Sequence, residues 1–331
     1  MSTVTNAIAR SEDLWFSDGS IVIQAGNAQF KVFHGILSLR SPIFRDMLSI
    51  PQPADAETID ECPVLRLPDD EADTRNFLMA LYHPSHFPAF PNTIDLETLL
   101  ACLRLAHKYE VEDLLRRALV HLSSGFAMSM SDYVARVTET ADNGRSILDK
   151  RSWVSEPATL TANILLQLVS TAQTIGIPWI LPHIFLWLSE PPLQTNILAS
   201  LPPEFIRGSS LVNKAVLQSI SLSFANPIDI PSCTDPLGCF RQRLNNSNIL
   251  KAAMDNLDLP LPILFFSAPA EVLRQTLKRE QLCQICFNVL IQSHEVATQK
   301  FWDDLPGLFG LPSWEELELS KTNAIGPNMF C

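Results

Sequence analysis

Four cysteines in two pairs carry the spacing in this chain that is best suited to chemistry. Cys233-x5-Cys239 lies in a proline-rich stretch, and Cys283-x2-Cys286 lies at the head of a helical pattern. Two thiolates separated by two residues can grip one metal ion from a turn or a helix start, and a second pair completes a tetrahedral zinc site. His294, further along the same helical pattern, is an alternative ligand. The first pair is wider than usual, so a second reading stays open: Cys283 and Cys286 one helical turn apart as ordinary buried thiols. Four protein ligands leave no open coordination position, which makes any zinc here structural rather than catalytic.

Catalytic patterns are otherwise scarce. The 331 residues contain 11 glycines, and none forms a phosphate-cradling loop. His294-Glu295 is followed by Thr298 where a zinc-protease helix needs its second histidine. No Gly-x-Ser-x-Gly elbow occurs. His83 and His86 flank Pro84-Ser85 as a candidate metal pair, against the plainer reading of a polar loop. Cys62, Cys102, His107 and His121 fall in or beside core elements without an evident partner. The chain reads as a non-enzyme.

The formal net charge of −12 would repel a phosphate backbone or an anionic membrane surface in the absence of a local basic stripe. Arg40 with Arg45, and Arg116 with Arg117, are isolated pairs and form no such stripe. Direct nucleic-acid and membrane binding are therefore not expected. Met1 to Arg10 has no apolar h-region, which argues against a secretory signal and for an intracellular chain, cytoplasmic or nuclear. Disulfides are disfavoured in that setting. The stretch from Pro157 to Ser189 lacks Asp, Glu, Lys and Arg, but Gln167, Gln173, Gly176, Pro178, Pro182 and His183 divide it. Each piece is shorter than the roughly 20 apolar residues a membrane span needs, so two buried helices are expected.

Local patterning supplies the elements. Ile21-Val22-Ile23 reads as a strand, Ala25 to Ala28 as a turn, and Phe30 and Val32 as the inward positions of a second strand, alternating with Gln29 and Lys31. Ile36, Leu37, Leu39, Ile43, Phe44, Met47 and Leu48 then recur at helical spacing. Ser41-Pro42 breaks the run in the way a helix cap followed by a first-turn proline would. Val64 to Leu67 reads as a third strand, Asp69 to Asp73 as an acidic helix start, and Ile94 to Leu122 as a helical pair.

A hairpin running into two short helices, with Ser41-Pro42-Ile43-Phe44-Arg45-Asp46-Met47-Leu48 closing the second, resembles the opening of a BTB/POZ domain. The likeness extends through Phe77, Leu78, Leu81 and Tyr82, and through Leu105-Ala106-His107-Lys108-Tyr109-Glu110-Val111. The resemblance implies an α+β chain: a BTB/POZ domain over residues 12–122, a small sheet flanked by helices, followed by a mainly α-helical domain over 126–331. It also implies a protein–protein interaction module that dimerises or docks onto a cullin or another protein partner.

Three departures from the family pattern bear on its roles. Few residues precede the first strand, so the swapped N-terminal element of dimeric members is short or missing and a homodimer rests on other contacts. Phe33-His34 stands where the family has His-Arg, and Ser20 stands where it has a buried aspartate. Ile50 is followed at Gln52 by an amide where the cullin-binding signature has an acid.

The second region shows proline punctuation at Pro191-Pro192, Pro202-Pro203, Pro227, Pro231, Pro236 and Leu259-Pro260-Leu261-Pro262. A helix start is expected at Ser131-Asp132-Tyr133, and a loop or linker from Asp142 to Thr161, with Trp153 packed down. This tail resembles that of BTB-containing chains common in mushroom-forming fungi, with its two cysteine pairs, a histidine, and the segment Phe301 to Leu317. The aromatic residues and prolines of that segment are expected to close it onto the helical domain. Two functions follow: a non-enzymatic adaptor or scaffold, with a cullin-type ubiquitin ligase as candidate partner, or a nuclear, transcription-associated scaffold that recruits co-regulators without touching DNA.

Overall fold

The computed structural model of the chain describes residues 8–51, 57–133, 152–154, 161–189, 201–225, 230–245 and 282–326. The expected breaks at Asp142 to Gly144, Pro191-Pro192, Pro227 and Leu259 to Pro262 lie outside them, as does Gln52. The chain divides into two compact units: residues 1–125 with 151–158 and 324–331, and residues 126–150 with 159–323.

The first unit is α+β, as the sequence implies. Its elements begin with β1 (Ala9–Trp15), β2 (Ile21–Ala25), β3 (Ala28–Val32), α1 (His34–Arg40) and α2 (Pro42–Ser49). They continue with β4 (Thr58–Ile59), β5 (Cys62–Leu67), α3 (Glu71–Tyr82), β6 (Ile94–Asp95), α4 (Leu96–Lys108), α5 (Glu112–Ser123) and β7 (Trp153–Val154). The main sheet runs β1-β3-β2-β5-β4. β2 and β3 form the expected antiparallel hairpin, Ile21 facing Val32 and Ala25 facing Ala28. Gly26 takes φ 52° in its turn, which costs little without a Cβ. β5 joins β2 in parallel.

β1 was not legible in the sequence. It pairs in parallel with β3 and makes β3 an interior strand. Gln29 and Lys31, read as the outward positions of β3, are consequently buried. Each finds a polar partner: Gln29 Nε2 donates to Gln24 Oε1 at 3.1 Å, and Lys31 Nζ donates to the Ser17 carbonyl at 3.2 Å. Gly19 permits that passage, since a Cβ there would stand 2.8 Å from Lys31 Cγ.

The break between α1 and α2 is capped as the Ser-Pro pair implies. Ser41 Oγ accepts from the Phe44 amide at 3.0 Å, and Pro42 occupies the first turn, where its missing N–H costs nothing. The same hydroxyl donates to the Tyr109 carbonyl at 2.5 Å, which ties α2 to the bend between α4 and α5. Phe44, fully buried, stacks on Tyr109 with ring centroids 4.4 Å apart and on Phe77 at 6.4 Å. Asp70 caps α3 through the Ala72 and Asp73 amides, as its place in the acidic run suggests. Arg104 grips Asp73 with two hydrogen bonds of 2.7 and 2.9 Å and so links α3 to α4.

The short pairing of β6 with β7 seats the expected Trp153 in this unit. Its ring is fully buried and its indole N–H donates to the Leu122 carbonyl at 3.2 Å. Beside it, His121 Nδ1 meets Ser152 Oγ at 2.9 Å and His121 Nε2 meets the Pro88 carbonyl at 3.0 Å. A carbonyl only accepts, so Nε2 carries the proton and Ser152 donates to Nδ1. The serine and histidine are sealed from solvent, which makes this a structural tie, not a nucleophile with its base.

The second unit is helical among its described residues. It contains α6 (Ala162–Ile175), α7 (Leu181–Leu188), α8 (Pro203–Ala225), α9 (236–245), α10 (Gln284–Leu308) and all but the last two residues of α11 (Trp314–Ile325). α6 and α7 are the two pieces of the charge-free stretch, divided at Gly176, whose φ of 77° ends α6. Every residue of α7 is buried. Among the described residues no helix is long and apolar enough to cross a membrane. α8 packs along α10. Ser129 Oγ caps the turn entering residues 130–133 by accepting from the Asp132 amide, two residues before the expected Ser131.

The aromatic residues of Phe301 to Leu317 are built into this unit. Phe309 stacks on Phe205 with rings 7° from parallel, and Trp302 stacks on Trp314 at 4.8 Å. The Trp314 indole donates to the Trp302 carbonyl at 2.6 Å. The turn between α10 and α11 closes through Gly310 at φ 67°, with the Leu311 amide donating to the Pro306 carbonyl. Phe126, Tyr133, Trp187, Trp302 and Trp314 all place their rings within 6.0 Å of the buried His183 ring.

Candidate functional site

Cys233, Cys239, Cys283 and Cys286 converge. Their sulfurs all lie within 4.8 Å of one another, and the four side chains could hold a metal ion. Local structure explains both spacings. Asp235 caps α9 by accepting from the Gly238 amide at 3.0 Å, and Pro236 opens that helix. Cys233 thus stands in the turn before the helix and Cys239 in its first turn; the five intervening residues are the length of the capped turn. On the other side Cys283 is itself the cap of α10, its sulfur accepting from the Cys286 amide at 3.5 Å. Cys286 sits one turn inside. Each pair therefore consists of one cysteine ahead of a helix and one within its first turn.

The geometry suits a single ion. A metal with four thiolates at about 2.3 Å puts neighbouring sulfurs about 3.8 Å apart. Cys233 and Cys283 sulfurs lie 3.7 Å apart, and those of Cys233 and Cys286 3.2 Å apart. Cys239 and Cys286 are buried, and Cys233 and Cys283 are partly exposed. The Cys283 amide donates to the Cys239 sulfur at 3.4 Å and crosses between the pairs. The Cys286 amide draws the Cys283 thiol pKa down to about 6, whereas burial pushes those of Cys239 and Cys286 up. Without a metal, charge settles first on the sulfur at the start of α10.

His294 is not part of this group. It is a buried side chain of α10, and burial pushes its pKa down from 6.5 to about 4. Between those values the unfolded chain takes up a proton that the folded chain refuses. The stability due to the neutral ring is complete above pH 6.5 and is lost as pH falls towards 4. The loss between about pH 7 and about pH 5 is expected to be about 2 kcal/mol. Urea denaturation at the two pH values should show a smaller loss for His294→Gln than for the parent chain. His121 and His86 shift in the same direction, so the variant keeps part of the slope.

His83 and His86 do not converge on a site. The first meets the Asp13 carbonyl and the second the Asn76 side chain, each at 3.2 Å. Cys62 and Cys102 are likewise separate, turned to the Gly19 and Asn76 carbonyls.

In the first unit, the two altered family positions prove to be neighbours. Ser20 Oγ lies 2.8 Å from His34 Nδ1 and also accepts from the His34 amide at 3.1 Å. A serine–histidine hydrogen bond thus stands where the family resemblance implies an aspartate–arginine pair. The sequence showed each change but not that the two side chains meet, because the contact depends on how β2 and the start of α1 are laid side by side. Leu39 of α1 is 83% exposed and Ile50, just beyond α2, is 63% exposed, so both apolar side chains are available to a partner.

A family model for the BTB/POZ domain matches residues 10–124. These residues are a BTB/POZ domain, a protein–protein interaction module of a non-enzymatic family. Comparison of the whole chain with curated proteins and with solved structures gives no match.

Proposed function

We propose that this chain is a non-enzymatic adaptor that binds a protein partner through its BTB domain, with the N-terminal region of a cullin as the partner. The observation that supports this best is Ile50. It stands at the apolar position of a cullin-binding signature whose acid is replaced by Gln52, it follows directly on α2, and it is 63% exposed. Its exposure leaves the side chain open to a contact with another protein. In this reading the helical second unit presents a further surface, where a client would sit.

Gln52, standing where the signature has an acid, weighs against the cullin and keeps a second reading in play. There the domain is a scaffold in a nuclear, transcription-associated complex, binding a co-regulator and making no contact with DNA. Titration calorimetry of the full chain against the cullin N-terminal region separates the two. The adaptor reading predicts a dissociation constant of about 1 μM or tighter, some −8 kcal/mol. No heat from a chain shown to be folded would remove the cullin and leave the scaffold.

A further inference from the structure

We propose that Cys233, Cys239, Cys283 and Cys286 bind one Zn2+ as four thiolates, and that the ion is a structural staple between the start of α9 and the start of α10. Four observations carry it. The sulfurs of two segments 44 positions apart meet within 4.8 Å, and among the described residues no carboxylate or imidazole joins them. An all-sulfur donor set selects soft or borderline metals over magnesium or calcium. The spacing of the sulfurs is that of ligands on one ion; the thiolates of a multinuclear iron–sulfur cluster each sit on a different part of a larger body. Finally, both pairs stand at helix starts.

The start of α10 eases the charge problem. Four thiolates around a divalent ion leave a net charge of about −2, expensive to hold beside the buried Cys239 and Cys286. The N-terminus of α10 lies at that charge with its first amides, whereas the first turn of α9 is already bonded to Asp235. The Cys283 and Cys286 amides already donate to sulfur at 3.4 and 3.5 Å. Such N–H to sulfur bonds fix the ligands and spread the thiolate charge. With all four positions filled by protein the ion has no place for substrate or water, so its role is to hold the two segments together.

The test uses the full chain, purified under reducing conditions without chelator. Elemental analysis is expected to find one zinc per chain. Replacing zinc by Co2+ is expected to give the thiolate-to-cobalt charge-transfer band and the strong visible bands of a tetrahedral site. Cys233→Ser and Cys286→Ser should weaken metal binding by more than the about 10–100-fold that loss of an outer hydrogen-bond partner costs. Cys62→Ser and Cys102→Ser should keep the full metal content. If the ligand variants do not fold, the cobalt spectrum of the parent chain decides. A folded parent chain that holds no zinc and gives no cobalt spectrum would overturn the proposal. So would stoichiometric iron, or a Cys233–Cys286 disulfide found by mass spectrometry of the unreduced chain.

Discussion

Phe44→Ala is expected to cost the first unit about 3–5 kcal/mol, read as a fall in the urea midpoint at unchanged slope. The ring is fully buried and is the shared neighbour of Tyr109 and Phe77, so its removal leaves a cavity bounded by two aromatic faces. The hole cannot readily collapse. Ser41 holds α2 to the Tyr109 carbonyl on one side, and the Tyr109 hydroxyl is engaged by Asp69 on the other. Against a total stability of about 5–15 kcal/mol, such a loss brings the domain close to unfolding at ordinary temperature. A loss below about 1 kcal/mol would mean that this stack is not the centre of the core.

Stripping the metal from the second unit is expected to have an effect at least as large. Structural zinc in small domains contributes an apparent 10–16 kcal/mol near neutral pH, a range that exceeds the stability of most domains. The four sulfurs bring the 230–245 segment and the start of α10 together. Chelation under reducing conditions should therefore lower the helical circular dichroism of the full chain and the temperature of its unfolding. Restoring one equivalent of zinc should recover both. Retention of the full thermal transition after complete metal removal would contradict the staple.

Much of this architecture is written in short sequence signals. The Ser41-Pro42 pair marks a helix cap because a hydroxyl and a missing N–H are what that position requires. The β2–β3 hairpin follows from a β-branched run, a Gly-Asn turn and period-two alternation. The cysteine pairs are visible because their spacing is one that could hold a metal ion from helix starts and turns. What escaped notice depends on partners distant in the chain. β1, Ala-Arg-Ser-Glu-Asp-Leu-Trp, carries no apolar period, because as an edge strand it buries Leu14 and leaves its charged residues outward. Its presence is what buries Gln29 and Lys31, so their patterning misled for the same reason. Trp153 announced burial by its type, but its pairing with Ile94 arises from a tertiary register no local window contains. The Ser20–His34 contact is of the same kind: two positions, each legible, whose meeting is decided by the fold.

The central claim is that the BTB domain docks a protein at the exposed end of α2, and site-specific photo-cross-linking tests it most directly. A photoreactive residue is placed at Ile50 in the full chain, and in a second sample at Leu319, an equally apolar and 61% exposed side chain of the other unit. Each chain is irradiated with the cullin N-terminal region. The account predicts one discrete adduct from Ile50 and none from Leu319. No adduct from Ile50, or the same adduct from both positions, would contradict it.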